Sequence, residues 1–596
     1  MNDFINKISI NRLKQPKIIP MTMKEIDSLG WNSIDILLIT GDAYVDHPSF
    51  GTALIGRVLL AAGYRVGIIA QPDWKNQNSL KILGRPKIAC AISSGNMDSM
   101  LNIYTAARKI RKDDAYSSGG KAGKKPPRAL TVYANLAKQA FPGIPVILGG
   151  IEASMRRISH YDYWQDKILP GILTSTKADI LLFGMAEKSI INVVDKIKNN
   201  EEVNNIAGTS LFLGQKAVDK FLLLEHDNYI ELPSHEAVIL KKGALLKSYQ
   251  ITESESNPYS GKGLYQKYKD RLIVIEPHEL PLTSDEMDAV YSLPFSNRPH
   301  PCYKEKVPAY EMIKDSITAL RGCPGGCSFC GLGLHQGKIV SSRSEKSIID
   351  SLLKLTKDKN FKGTVSDIGG PTANTYGNSA VKFELCKKCK KPSCLFPDIC
   401  GNYSVSENEL LTLLNKALNI DKIKHVFISS GIRLDIASRQ KKLMRQIINK
   451  HTSGHLKVAP EHLDDKVLKL MRKNSAKDFY DFLKLFDEEC KRCGKKQYIV
   501  PYFISNFPGC DDKAMQKVDD FLQRTRWSLQ QVQDFIPLPM TLASAIYYEE
   551  CDYQFNHIVV NKGFRARKYQ VDLLKKQRKY HKNRRVCPKI TGKGRS

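Results

Sequence analysis

The chain has 596 residues, with 91 Lys and Arg against 61 Asp and Glu, for a net charge of +30. At 26% charged and 42% hydrophobic it reads as an ordinary globular protein with room for two to four domains. No apolar run reaches the ~18–20 residues that span a bilayer, and the N-terminal MNDFINKISINRLKQPK lacks the apolar core of a signal peptide. That argues against an apolar membrane-spanning helix and predicts a cytoplasmic chain, with cysteines reduced and available to metal rather than paired in disulfides.

The first half alternates strand and helix. Residues 34–40 (IDILLIT), 65–70 (RVGIIA), 87–93 (KIACAIS), 145–148 (PVIL) and 178–183 (ADILLF) are apolar runs of buried-strand type. Helices are predicted over 52–62, 97–111 and 186–198. The pattern predicts an open, mostly parallel α/β sheet over residues 1–200, with ligand sites at the strand ends near 42–51 and 149–154. Residues 112–128 (KDDAYSSGGKAGKKPPR) read as an exposed loop. Residues 201–306 read as a connecting region, with strands over 231–238 and 271–276 and a proline-rich linker over 277–301.

The second half, 307–560, again alternates. Predicted strands are 312–319, 363–368, 424–430, 455–459, 498–505 and 532–537, with helices near 345–357, 406–418, 437–450, 464–472, 476–493 and 513–527. Repeated β/α units over this length predict a partial or full TIM-type barrel, active at the carboxyl ends of its strands. Residues 561–596 form a basic tail, with 14 Lys and Arg against the single Asp572. The excess charge reads either as a solvated basic surface or as a site for a polyanion such as RNA.

Chemistry concentrates at RGCPGGCSFCGLGLHQGK, residues 321–338, where Cys323, Cys327 and Cys330 are spaced C-x3-C-x2-C. Pro324, Gly325 and Gly326 oppose a helix there, so the segment is a loop that can wrap three thiolates around one centre. A zinc site usually closes with four ligands. Three close cysteines suit a [4Fe-4S] cluster with one iron open, at which S-adenosylmethionine (SAM) can chelate. Cys386, Cys389, Cys394 and Cys400, within the Cys-rich insertion 382–402, make a second candidate site for zinc or a saturated Fe–S cluster. Cys490 and Cys493 read as incidental thiols on a helix.

The cluster stretch resembles the radical SAM signature, in which an aromatic residue, here Phe329, precedes the last cysteine. GDAYVDHPSFG, RGCPGGCSFCGLGLHQGK, SDIGGPTAN, LKVAPEHL and VQDFIPLPMT occur in the order found in YgiQ-type radical SAM proteins, a family of unknown reaction. The resemblance covers residues 20–580 or so. It implies a flavodoxin- or cobalamin-binding-like domain followed by a radical SAM barrel. It further implies a cluster on Cys323, Cys327 and Cys330, a SAM amino-group turn at Gly369 and Gly370, and ribose or carboxylate contacts from Ser430, Arg433 and Glu461. The activity implied is reductive cleavage of SAM to a 5′-deoxyadenosyl radical that modifies an unknown substrate, RNA among the candidates, with an electron donor such as flavodoxin or ferredoxin. No catalytic acid or base is named. Two alternatives stand beside it. One is a non-catalytic Fe–S or zinc protein that binds RNA or senses redox state. The other is a cobalamin-dependent small-molecule enzyme, although the cobalt-ligating D-x-H-x-x-G pattern is absent: the loop offers Asp46, His47 and Gly51 at another spacing.

Overall fold

The computed structural model describes residues 3–576 other than Leu13, Glu225 and Gln530. Apolar runs with no polar face to show to water become the central strands of a nine-stranded sheet. In chain order these are β1 (Ile36–Thr40), β2 (Val66–Ala70), β3 (Ala89–Ser93), β4 (Val146–Gly149), β5 (Ile180–Leu182), β6 (Thr209–Leu213), β7 (Tyr229–Leu232), β8 (Gly263–Tyr268) and β9 (Arg271–Ile275). They lie side by side as β7-β8-β9-β6-β5-β4-β3-β1-β2. β2, β1, β3, β4 and β5 are parallel, with Ile36 beside both Val66 and Ala89. The 2-1-3-4-5 order is that of flavodoxin-like sheets, whose winding reverses between β1 and β3. Alternation along β1 feeds two cores. Leu37 and Ile39 pack with the helix Ala129–Ala140, and Ile36 and Leu38 pack with the helices Gly51–Ala61 and Glu187–Lys198.

Several expectations need correction. Residues 201–306 are no mere connection: they add β6 to β9 to the sheet, through antiparallel β5–β6, β6–β9 and β8–β9 pairs. The stretch read as one strand over 231–238 stops at Leu232, and Ser234 caps a short helix, His235–Leu240. The proline-rich 277–301 contains the helix Ser284–Tyr291, started by a Thr283/Glu286 capping box. The helix expected over 97–111 is one short piece, Ser99–Ile103. Residues 112–128 are not simply exposed: Asp114, Ser117 and Lys125 are buried.

In the second half a helix, Pro308–Ile313, occupies the start of the expected strand 312–319. The strands are β10 (Ser316–Thr318), β11 (Thr364–Val365), β12 (Asp367–Gly369), β13 (His425–Val426), β14 (His455–Glu461), β15 (Tyr498–Ser505) and β16 (Gln533–Asp534). β10 pairs parallel with β12, β11 with β13, β14 with β15, and β15 with β16. With the intervening amphipathic helices this is a partial TIM-type barrel. The C-terminal helix Phe564–Lys575, inside the expected basic tail, packs onto the barrel. Gln570 accepts from the Asn506 N–H at 2.8 Å, and Arg567 pairs with Asp534 at 2.8 Å. The rest of that tail, 577–596, lies outside the described residues. Among the described residues no helix is long and apolar enough to cross a membrane.

Candidate active site

The cysteine loop leaves β10 and is tied down at both ends. The Cys323 N–H donates to Gly337 O at 3.1 Å, and the Cys330 N–H donates to Cys327 O at 3.1 Å before the short helix Gly331–Gln336. Ser328 Oγ donates to Leu470 O at 2.7 Å, and the Ala543 N–H donates to Ser328 O at 3.0 Å, fixing the loop to the barrel rim. Burial raises the Cys323 thiol pKa against the pull of Arg433, and pushes that of Cys330 up to about 12. Bound metal would take the place of those protons.

Arg433 is the charged partner of this loop. Its Nη1 lies 3.3 Å from Cys327 Sγ, Nε donates to Asp435 Oδ1 at 3.1 Å, and Nη2 closes the ion pair with Asp435. Asn374 brackets the Arg433 backbone, accepting from its N–H at 2.8 Å and donating to its carbonyl at 3.0 Å. Burial works against the guanidinium's charge, but Asp435 and the Cys327 sulfur outweigh it and hold Arg433 protonated. Gly325 is required by this approach, since a Cβ there would meet Arg433 Nη1 at 2.2 Å.

The expected SAM-binding residues gather on the same face. β12 ends at Gly369, where a Cβ would meet Ser430 Oγ at 1.8 Å; at Gly370 it would meet Leu320 O at 2.5 Å. Ser430 Oγ donates to Asp367 Oδ2 at 2.5 Å, and the Ser429 N–H donates to Asp367 Oδ1 at 2.7 Å. Burial raises the Asp367 pKa. Glu461 ends β14 in a left-handed conformation, φ +66°, where a side chain other than Gly is uncommon. Its burial pushes its carboxyl up to about 7, against Lys473 and Arg433. The Phe329 ring packs edge-on against Phe507, with centroids 6.2 Å apart.

Sequence reading gave no role to Asp367, Asn374, Asp435 or Lys473. Lys473 donates to Ala459 O at 2.9 Å and is within electrostatic reach of Glu461, Asp435 and Cys323. Asp367 and Asn374 lie inside the quoted SDIGGPTAN and Asp435 stands two residues past Arg433, so proximity could have found their roles. Lys473, on the turn after another helix, gave no signal. Cys490 and Cys493 stand on a helix end far along the chain, with Cys490 Sγ 3.8 Å from Gln497 Oε1.

The carboxyl ends of the parallel sheet abut this loop. Ser154 Oγ lies 2.9 Å from His335 Nδ1, and Arg321 pairs with Glu187 at 2.5 Å. A Cβ on Gly331 would meet Met155 Sδ at 2.9 Å. The switch point between β1 and β3, where such sheets receive ligands, is filled by the chain itself. Lys125 Nζ binds Asp42 Oδ1 at 2.7 Å, and a Cβ on Gly41 would meet Ser94 O at 2.4 Å and Lys125 Cε at 3.0 Å. His47 is turned to its own loop, accepting from the Ser49 N–H at 3.1 Å. These residues do not fit a corrinoid, which could enter the switch point only by displacing the segment 112–128.

The Radical SAM N-terminal family matches residues 18–316 and the Radical SAM superfamily matches residues 317–522. The chain is 43% identical to a UPF0313 protein of Bradyrhizobium diazoefficiens, over 90% of this chain and 82% of that one. It is 44% identical to a UPF0313 protein of Methanocella arvoryzae, over 89% and 88%. Among solved structures it is similar to the radical S-adenosylmethionine methyltransferase TsrM from Kitasatospora setae with cobalamin and [4Fe-4S] cluster bound, at 10% identity and a TM-score of 0.48, covering 86% of this chain and 74% of that one.

Proposed function

This chain belongs to the UPF0313 family of radical SAM enzymes, and on that premise we propose that Cys323, Cys327 and Cys330 hold its [4Fe-4S] cluster at the carboxyl face of the barrel, where SAM is cleaved to act on a bound substrate. Held by those cysteines, the cluster would supply the electron for reductive cleavage of the SAM sulfonium bond. The residues of the chain orient and shield. Gly369 and Gly370 keep side chains out of the turn that ends β12, where the SAM ammonium group would sit. Ser430, held by Asp367, and the buried Glu461 face the ribose and carboxylate region. Arg433 offers a charge-assisted hydrogen bond to the Cys327 sulfur and fixes the loop.

The observation that carries this reading is the convergence of three sequence-distant motifs on one face: Arg433 touches Cys327, Gly325 closes on Arg433, and Gly369 closes on Ser430. A one-electron donor such as flavodoxin or ferredoxin, in a reducing cytoplasm, completes the requirement. The substrate class we favour is a polyanion such as RNA, from the net charge of +30. The test is anaerobic reconstitution with iron, sulfide, dithionite and SAM. 5′-Deoxyadenosine should form with the native chain and fall to background with Cys323, Cys327 and Cys330 all changed to Ala; equal yields would overturn the reading.

A further inference from the structure

The insertion 382–402 holds its shape without a hydrophobic core. Phe383 and Leu385 are exposed at 41% and 61%, and Leu395 is its one fully buried apolar side chain. So little apolar burial cannot offset the entropy of ordering some twenty residues; segments of this kind need a staple. The four cysteines it carries, Cys386, Cys389, Cys394 and Cys400, are all half-buried and none is in a disulfide.

The backbone is folded around those sulfurs. The Cys389 N–H donates to Cys386 O at 3.1 Å and the Cys400 N–H to Cys394 O at 2.8 Å, so each pair closes a turn. The sulfur of Cys394 is within electrostatic reach of the other three. Two amides are committed to the same place. Asn257 Nδ2, from the N-terminal half, donates to the carbonyls of Cys386 and Cys389 at 2.9 Å each and of Lys387 at 3.2 Å. Asn402 Nδ2 lies 3.2 Å from Cys386 Sγ. Lys338, in the bend after the helix Gly331–Gln336, donates to Cys389 O at 3.2 Å.

The insertion is docked on the first cysteine loop. The Cys394 N–H donates to Pro324 O at 2.9 Å, and Ser393 Oγ donates to Gly325 O at 2.8 Å. Gly326, at φ +59°, has no room for a Cβ, which would meet Pro392 O at 2.7 Å. The buried Tyr403 hydroxyl is within electrostatic reach of both Cys394 and Cys323. Among the described residues no three Cys, His, Asp or Glu side chains converge at single-ion distance, the Cys323 group included. Drawing the four sulfurs together is therefore the step that metal binding would perform.

We propose that Cys386, Cys389, Cys394 and Cys400 form a second, four-thiolate metal centre whose role is to clamp residues 392–395 onto the loop that carries Cys323 and Cys327. Four thiolates complete the coordination of zinc or of an iron–sulfur cluster, so this centre is closed and structural, or relays electrons, while the first keeps its open position. The clamping role rests on the proposed cluster site; the existence of the second centre does not.

The experiment is anaerobic purification of the full chain in three forms, with iron, zinc and sulfide measured per chain. The forms are the native protein, a triple Cys323/Cys327/Cys330→Ala variant, and a quadruple Cys386/Cys389/Cys394/Cys400→Ser variant. The triple variant should retain about one zinc or about four irons, and the quadruple variant should lack that metal. Zinc retained identifies a structural site and iron with sulfide an Fe–S cluster. No retained metal in the triple variant overturns the proposal. Should the quadruple variant fail to fold, alkylation of the native chain decides. Cys386, Cys389, Cys394 and Cys400 should resist iodoacetamide at least ten-fold more than the exposed Cys302, and labelling at the Cys302 rate overturns it. A native chain that keeps the second metal yet cleaves no SAM would sink the function proposed above and leave this centre standing.

Discussion

Arg433 joins the cysteine loop to the barrel through one buried guanidinium, and its removal should be felt twice. Truncation to Ala leaves Asp435 buried and unpaired, which costs about 3–5 kcal/mol. The variant pair Arg433→Met with Asp435→Leu should recover most of that in urea unfolding, because the charge left behind is gone. It should not recover 5′-deoxyadenosine formation, which loses the hydrogen bond to Cys327; a double variant as active as the native chain would refute that role. Glu461 gives a pH signature. Burial raises its folded-state pKa from 4.5 to about 7, so the native state keeps a proton that the unfolded chain releases. Its contribution to stability therefore falls as pH rises from 4.5 to 7 and is constant above. Glu461→Gln, which cannot ionise, should match the native chain below pH 4.5 and exceed it by up to about 3 kcal/mol above pH 7, and parallel unfolding curves at pH 4.5 and 8 check this. At this scale the sequence is informative where chemistry is local. Three cysteines within eight residues announce themselves, and so do glycines in a GGP turn. Lys473 does not, because nothing in a lysine between two helices says that it lies over Glu461.

At the scale of elements, continuous apolar strands were readable nearly to the residue, as in 498–505, because a buried strand has no alternative use for eight consecutive residues dominated by Ile, Val, Tyr and Phe. What failed were segments whose composition fits two fates. The run 277–301 has the prolines of a linker and also a capping box that starts a helix. The basic end is a sharper case. Residues 561–596 share one charge pattern, yet Phe564–Lys575 is a helix whose Arg567, Gln570, Leu573 and Leu574 are buried against the barrel. A test of RNA binding must therefore cut after Lys576. That truncation removes eight Lys and Arg and no acidic residue, and should leave the unfolding midpoint unchanged while weakening RNA binding most at low salt, with a shallower dependence on log salt. Cutting after Gly563 instead should lower the midpoint, since the Asn506 N–H loses Gln570 and Asp534 loses Arg567. Unchanged RNA affinity after the first cut would remove the charged end from the substrate proposal.

At the scale of the whole molecule, the N-terminal sheet has the winding of a ligand-binding domain and a crevice already occupied from within. Its plug is a long-range contact, Lys125 to Asp42 across 83 residues, which explains why a Gly-, Lys- and Pro-rich segment reads as exposed: its lysines show no partner in sequence. Both side chains are almost fully buried, at 1% and 4% exposure, so the pair is a poor candidate for a loosely held lid. Breaking it with Lys125→Ala strands the Asp42 carboxylate and should destabilise the chain by about 3–5 kcal/mol, whereas Lys125→Met with Asp42→Asn should be much milder. The same geometry predicts how the molecule meets corrinoids. Incubated with hydroxocobalamin and desalted, the native chain should retain no corrinoid absorbance, and its yield of 5′-deoxyadenosine should not depend on added cobalamin. Stoichiometric retention would require the segment 112–128 to leave the switch point, and the Lys125→Met, Asp42→Asn chain would then bind corrinoid more tightly than the native one. Without that displacement the strand ends form a wall beside the cysteine loop: Ser154 meets His335 and Glu187 pairs with Arg321, so residues of both halves border the proposed site.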